Sequence, residues 1–225
     1  MVASLKELDD INPTQLQEFQ RLSLIAHLAA LKDICKNQGL GTIYAKLATS
    51  LIRYCGEIPA DKAYYEAGIA CKDAHKDNLA FLFLNRFIDI SDEIGSETSI
   101  LENPGFEQTD IPMELPIPPS QYLQEDQRED AKNWVLSVSI DSGTDHRLST
   151  RPCDTCSAEI YEASSWCYQC NTNYDTCVVT GYPVLRSTKI NCTSCAKAAN
   201  REDWNKFVSK LKCCPWCENP QSPSY

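Results

Sequence analysis

Residues 153–170 read CDTCSAEIYEASSWCYQC, which contains two Cys-x-x-Cys pairs separated by ten residues. Two similar pairs follow, so that four stand in order in the last third of the chain: Cys153/Cys156, Cys167/Cys170, Cys192/Cys195 and Cys214/Cys217. The two-residue gap lets both sulfurs of a tight turn face one ion, and two such turns complete a tetrahedral thiolate site. Four pairs therefore predict about two structural zinc ions, whose binding energy contributes to folding.

The order of the pairs leaves two arrangements open. In the sequential arrangement the first pair joins the second and the third joins the fourth, and the ten-residue spacer forms a β-hairpin with a cysteine knuckle at each end. In a cross-brace the first pair joins the third and the second joins the fourth. We favour the sequential arrangement, in which Cys177 and Cys213 are spare thiols, although either could replace a neighbouring ligand.

Other uses of this sulfur fit the sequence less well. Ten of the 13 cysteines lie between Cys153 and Cys217, and without a secretory signal such density indicates metal rather than disulfides. A thioredoxin-like Cys-x-x-Cys pair would lie at the start of a helix that follows a strand. A catalytic cysteine would need a nearby histidine, and a catalytic zinc would more often have histidine or carboxylate ligands. His27, His75 and His146 all lie outside the cysteine-rich segment, and we expect them to have ordinary structural roles.

The net charge of the chain and the length of its apolar segments indicate which class of partner it binds. The 225 residues have a formal net charge of −10, and the first 150 hold 13 Lys and Arg against 24 Asp and Glu. An acidic body is a poor partner for nucleic acid or anionic lipid, which require a basic face. The start of the chain, MVASLKELDD, lacks the plan of a signal peptide, and no run approaches the ~20 apolar residues of a membrane span. We therefore expect a soluble, intracellular protein that binds proteins, with no nucleic acid and no membrane insertion.

The fold class expected is mostly α with a small α+β end. Residues 1–95 predict a helical region, 96–124 a proline-rich acidic connector lying against the helices, 125–150 a linking helix, and 151–225 the zinc-binding domain. The helical region carries a partial tetratricopeptide signature, with a generic helical hairpin as the alternative. That signature places Tyr64, Gly68 and Ala80 at its fourth, eighth and twentieth positions, and the single cysteines of the helices are expected to be buried filler: Cys35, Cys55 and Cys71.

Several long strings resemble one family. DKAYYEAGIACK (61–72), NWVLSVSID (133–141), CVVTGYPVL (177–185) and KAANREDWNKF (197–207) resemble, in order, the C-terminal region of the largest intraflagellar transport complex B subunit. The resemblance implies tetratricopeptide-like repeats followed by a U-box-like domain. It also implies a non-enzymatic interaction module that helps to assemble complex B trains and links them to complex A for turnaround and retrograde transport. The expected partners are complex A and other complex B subunits, and the expected location is the cilium or flagellum, with basal-body and cytoplasmic pools.

The U-box resemblance implies an alternative function for residues 151–225, that of a RING/U-box-type E3 ubiquitin ligase that recruits a ubiquitin-conjugating enzyme or ubiquitin. It places a first loop at 177–180, a hairpin near 182–190, a helix carrying Trp204, and a second loop at 214–217. Such ligases grip the conjugating enzyme with apolar residues on both loops and the helix. The corresponding partner-binding candidates are Val178, Val179, Trp204, Pro215 and Trp216.

Two features of the chain depart from that pattern. U-boxes usually hold their loops without metal, whereas this chain carries Cys-x-x-Cys pairs. Many ligases have a basic residue just past the second loop, and here Glu218 occupies that place. The alternative role for Val179 and Trp204 is simply to form part of the apolar core.

Overall fold

The computed structural model describes residues 12–140 and 147–224. Within these ranges the chain forms six α-helices, one short 3₁₀ helix and three two-stranded antiparallel sheets. The elements are α1 (Pro13–Asn37), α2 (Gly41–Leu51), a 3₁₀ helix (Ile52–Tyr54), α3 (Ala60–Asp73), α4 (Asp77–Glu93), β1 (Ile100–Glu102), β2 (Glu114–Pro116), α5 (Glu125–Ile140), β3 (Thr150–Pro152), β4 (Glu159–Tyr161), β5 (Lys189–Asn191), β6 (Ala198–Asn200) and α6 (Arg201–Leu211). None of the helices in the described ranges combines the length and the apolar character needed to cross a bilayer.

The first helix begins at the Asn12-Pro13 pair. The side chain of Asn12 accepts a hydrogen bond of 3.0 Å from the backbone N–H of Thr14, and Pro13 occupies the first helical position, where its missing N–H is not needed. After α1 the chain turns through Gly39, whose positive φ of 65° suits glycine. Each of the first four helices then packs on the next, which produces a continuous apolar core.

Helices α3 and α4 approach each other closely at Gly68. A β-carbon at this position would lie 2.5 Å from Cγ of Leu84, so only a residue without a side chain allows this contact. Tyr64 and Ala80 are both fully buried beside it. The helical hairpin is therefore present with a small residue at its crossing, while its assignment to the tetratricopeptide class stays a prediction.

The connector packs on the helices, as expected, but part of it is a β-hairpin rather than an extended polyproline segment. Strands β1 and β2 pair in register from Ile100↔Pro116 to Glu102↔Glu114. Asn103 is buried in the turn and donates to the hydroxyl of Tyr64 at 2.9 Å and to the carbonyl of Pro112 at 2.8 Å. These bonds satisfy the N–H donors of a buried amide nitrogen and connect the segment to α3, although the amide oxygen of Asn103 has no hydrogen-bond partner among the described residues.

In the C-terminal hairpins, the strands that pair are not the ones that the sequence predicts. Strand β4 lies in the spacer between the first two cysteine pairs, but it pairs with β3, which precedes Cys153. The hairpin expected near 182–190 is instead formed by β5 and β6, with the Cys192 knuckle as its turn. Both differences have one cause, since a Cys-x-x-Cys knuckle reverses the chain and brings the residues on its two sides together.

Candidate metal centres and docked loops

The eight paired cysteines gather into two clusters in the sequential arrangement. Within each cluster all four sulfurs lie within 4.8 Å of one another. The closest contacts are Cys153–Cys170 and Cys156–Cys167 at 3.7 Å, Cys195–Cys214 at 3.8 Å and Cys192–Cys217 at 3.9 Å. A tetrahedral ion with Zn–S bonds of about 2.3 Å separates its sulfurs by roughly 3.8 Å. Both clusters therefore fit a metal ion such as zinc, and the cross-brace is not the arrangement observed.

The four knuckles share one backbone conformation. In each, the residue after the second cysteine has a positive φ, and its N–H bonds to the carbonyl of the first cysteine at 2.8–3.0 Å. These left-handed residues are Ser157, Asn171, Ala196 and Glu218, with φ between 56° and 61°. For alanine and glutamate that conformation costs about 1–2 kcal/mol, and the backbone hydrogen bonds of the knuckle offset this cost.

Ionisation of the thiols also fits a cation at each centre. Burial opposes ionisation of Cys153, but hydrogen bonds from Tyr174 and from nearby backbone N–H groups lower its pKa to about 6. Burial likewise opposes ionisation of Cys192, but the N–H groups of Cys195 and Ser194 lower its pKa to about 7. Burial, and then the neighbouring thiols, raise the pKa of Cys214. Four close thiols cannot all become thiolates unless a cation lies between them.

A fifth knuckle contains no cysteine pair. The N–H of Gly181 bonds to the carbonyl of Cys177, and the N–H of Cys177 bonds to the carbonyl of Tyr182, both at 2.8 Å. Gly181 has a φ of 74°, and Thr180 occupies the place of the second cysteine. Cys177 is fully buried, which raises the pKa of its thiol, and its sulfur accepts from the N–H of Asn200 at 3.4 Å.

Neither spare thiol joins a cluster. Cys177 lies within the fifth knuckle, and Cys213 is half-buried in a β-bridge with Pro220. The Cys-x-x-Cys pattern does not identify the fifth knuckle, because only one of its two sulfur positions is a cysteine. The signal that could have revealed it is the glycine four residues after Cys177, at the left-handed position of the other knuckles.

The loop that carries Val178 and Val179 lies against the chain's own helices. Their exposed fractions are 3% and 0%, and Trp204 on α6 is 2% exposed. Pro215 and Trp216 are half-exposed. The structure thus places the first loop, α6 and the second loop in one C-terminal unit, but the apolar residues of the first loop and α6 are buried.

Polar contacts fix this docking. His27 on α1 donates from Nε2 to the carbonyl of Val178 at 2.8 Å. The hydroxyl of Ser50 on α2 donates to the carbonyl of Thr180 at 2.8 Å. Gly181 lies so close to α2 that a β-carbon there would be 2.6 Å from Cβ of Ser50. Two further contacts tie α6 to the helices, a Lys46–Asp203 ion pair at 2.7 Å and a bond from Lys210 to the carbonyl of Gln38.

One buried arginine joins three segments of the chain. Arg53, in the 3₁₀ helix, donates to the carbonyl of Ala163 at 2.7 Å and to the carbonyl of Gly181 at 3.1 Å. It also pairs at 3.4 Å with Asp110 of the connector. Asp110 in turn accepts from the N–H and the hydroxyl of Ser165, both at 2.7 Å. These contacts join residues that lie 55 to 128 positions apart in sequence, so local patterns do not predict them.

The histidines differ in what they do. His27 was expected to be ordinary, but it contacts both loops, since its ring centroid also lies 4.7 Å from that of Trp216. Burial lowers the pKa of His27. His75 is exposed in the turn after α3, and His146 lies outside the described residues. Cys35 and Cys71 are buried in helices, whereas Cys55 is buried in the turn after the 3₁₀ helix and not in a helix as expected. Burial raises the pKa of Cys35 to about 12 and that of Cys71 to about 11.

Comparison with known proteins supports one relationship. No family model matches the chain. It is 40% identical over 213 residues to intraflagellar transport protein 172 of Chlamydomonas reinhardtii, and 40% identical over 211 residues to the Homo sapiens homologue. It is also 30% identical over 205 residues to intraflagellar transport protein osm-1 of Caenorhabditis elegans.

These matches cover 92%, 93% and 87% of this chain, but only 12%, 12% and 11% of the respective relatives. The chain therefore corresponds to a small part of each relative's length. Over nearly all of its own residues, the chain belongs to the family of intraflagellar transport protein 172.

Proposed function

We propose that this chain is a non-enzymatic protein-interaction module of an intraflagellar transport subunit, stabilised by two structural zinc ions. The names of the relatives support the transport role. Each cysteine cluster supplies four thiol ligands, which is the number that fills a structural zinc site. The chain's own residues would hold each ion, and the bound ion would contribute folding energy rather than reactivity.

The finer role is that of a docking unit within the transport train. In this proposal the module helps to assemble complex B, contacts other complex B subunits, and links complex B to complex A for turnaround and retrograde return. The protein works in the cilium or flagellum, with pools at the basal body and in the cytoplasm. A helical body with five knuckles, one of them docked on the helices, offers a large protein surface, while the net charge of −10 disfavours nucleic acid.

The observation that carries the non-enzymatic assignment is the burial of the first loop and of α6. Val179 and Trp204 would have to contact a conjugating enzyme in a ligase of the U-box type, but they are 0% and 2% exposed. The carbonyls of Val178 and Thr180 are bonded to α1 and α2, so this surface is already occupied by the chain itself.

Imaging in ciliated cells that lack the endogenous subunit tests the transport role. The full-length relative is returned either intact or with Cys192→Ser and Cys195→Ser in this segment. We expect the double variant to accumulate at the ciliary tip, because losing the ion releases the second loop. Cys213→Ser is the matched control, since Cys213 is in neither cluster. Normal return of the double variant would contradict the proposed link to retrograde transport.

A ubiquitination assay tests the absence of enzyme activity. The purified chain is mixed with activating enzyme, ubiquitin and a panel of conjugating enzymes, and we expect no ubiquitin chains to form. Chain formation that disappears in Pro215→Ala would establish the ligase function instead. Val179→Arg is not a suitable variant, because an arginine at a fully buried position would unfold the loop whatever its function.

A further inference from the structure

A groove of about 1060 Å³ lies between the N-terminal half of α1 and the β5–β6 hairpin. Gln17, Gln20 and Leu24 line it from the helix, and Trp216 contributes apolar surface from the second loop. Trp216 is half-exposed, and its ring is held in place by an edge-on contact with His27, at 4.7 Å between centroids. The groove thus combines an ordered aromatic surface with amide side chains, a composition typical of binding sites.

One side of the hairpin has unpaired backbone groups. Thr188 accepts from the N–H of Arg201, and Cys192 donates to the carbonyl of Lys197, which places these pairs on the inner side of the hairpin. Because inward and outward residues alternate along an antiparallel strand, Lys189 and Asn191 direct their N–H and C=O groups to the outer side. Among the described residues no further backbone hydrogen bond reaches either of them, and both line the groove.

The groove is basic on an otherwise acidic protein. Its lining contains three cations, Arg21, Lys189 and Lys197, and a single acid, Asp175. Arg21 is paired with glutamates and Lys189 with Asp175. Lys197 has no acidic partner within the part of the chain that is described, and its ammonium lies 4.5 Å from the centre of the Trp216 ring. A carboxylate entering the groove would therefore find an exposed cation at the edge of the apolar surface.

We propose that this groove binds an extended, acidic segment of a partner protein as an additional strand on β5. The unpaired groups of Lys189 and Asn191 bond to the backbone of the segment, a carboxylate pairs with Lys197, and an apolar side chain packs on Trp216. This inference rests on the proposed function as an interaction module, because it names the class of partner that one surface of the module takes.

A fluorescein-labelled peptide of sequence GSEVEWEVGS, which alternates glutamate with apolar residues, is the probe. Fluorescence anisotropy with the full chain should give saturable binding, and Lys197→Glu should weaken it by about tenfold or more. Lys206→Glu, an exposed lysine on α6 with the same change of charge, should alter it by less than about twofold, because distant surface charges are screened. Hydrogen exchange should show that the N–H groups of Lys189 and Asn191 become protected on binding.

Three results would overturn the inference. They are the absence of saturable binding at about millimolar peptide, equal weakening by the two lysine variants, and undiminished binding of a peptide N-methylated along its backbone. Equal thermal unfolding of the variants and the wild type ensures that a loss of binding does not reflect unfolding. The transport role fails or succeeds independently, because the cell experiment uses the Cys192 and Cys195 variant and reads tip accumulation.

Discussion

Nε2 of His27 donates a hydrogen bond of 2.8 Å to the main-chain carbonyl of Val178, across 151 residues of sequence. This single contact joins the first helix to the metal-free knuckle of the C-terminal unit. Since a neutral imidazole has one N–H donor, the bond assigns the proton to Nε2. Burial lowers the pKa of this histidine, so the folded protein keeps it neutral where an exposed histidine would already bind a proton.

Stability should therefore fall with acid through His27. The unfolded chain binds a proton at this histidine below its ordinary pKa of about 6.5, while the folded chain does so only at lower pH. We expect the free energy of unfolding to decrease as pH falls below about 6.5, and to decrease less in His27→Gln. Urea unfolding between about pH 7.5 and 5.5 measures the difference.

His75→Asn is the control for that experiment, since His75 is exposed and its left-handed backbone accommodates asparagine. Its pH dependence should match that of the wild type. Identical slopes for His27→Gln and the wild type would show that His27 does not carry the effect.

Metal content should report the two clusters separately. Inductively coupled plasma mass spectrometry of the purified chain should find about two zinc ions. Cys192→Ser should reduce this to about one, because three thiols of the second cluster remain without their fourth partner. Cys177→Ser and Cys213→Ser should both retain about two, since neither sulfur lies in a cluster. A loss of metal in either control would mean that the ligand set is different.

Substitution at Gly181 should separate steric from backbone effects. A β-carbon there would lie 2.6 Å from Cβ of Ser50, and φ is already positive at 74°. We expect Gly181→Ala to lower the free energy of unfolding by about 2–4 kcal/mol. Gly95→Ala shares the positive φ but meets no atom within 4 Å, so it should cost only about 1 kcal/mol. Chemical denaturation compares the two, and equal losses would contradict close docking at Gly181.

Arg53 should be among the most sensitive buried positions. Arg53→Met would leave the carboxylate of Asp110 without its cation and two carbonyls without their donor. The expected loss is about 3–5 kcal/mol of unfolding free energy, because an uncompensated buried charge is strongly unfavourable. Lys206→Met removes an exposed ion pair with Glu202 and should cost less than about 0.5 kcal/mol. A small effect at Arg53 would show that water replaces its contacts readily.

The local features of this fold could be predicted from the sequence, and the long-range contacts could not. The N-cap at Asn12, the close crossing at Gly68 and the sequential gathering of sulfurs all follow from patterns within about 65 residues or fewer. The docking of His27 on Val178 depends on which surfaces meet after those units form. Neither hydrophobic periodicity nor residue spacing in the sequence predicts such a long-range contact.

The pairing of strands in the C-terminal hairpins is also not predictable from the sequence, even though these strands are close together along the chain. The sequence correctly predicts strand β4 in the spacer after Cys156 but predicts the wrong partner strand, because a three-residue strand has no pattern that identifies its neighbour. The sequence does not decide whether Val179 and Trp204 are buried, for a related reason. Apolar residues at a loop and on a helix look the same in sequence whether they face a partner protein or the chain's own core.

The metal-free knuckle at 177–182 shows that the conformation of a single knuckle does not depend on a metal ion that links it to a second knuckle. Its backbone bonds match those of the four cysteine knuckles, so the chain adopts this turn without any ion. The effect of a metal ion is therefore to connect two knuckles whose cysteines lie 11 to 25 residues apart in sequence. A chelator should then pull the clusters apart into individual turns while the loop at Val178 stays on its helices, so that loss of zinc loosens the module at its periphery first.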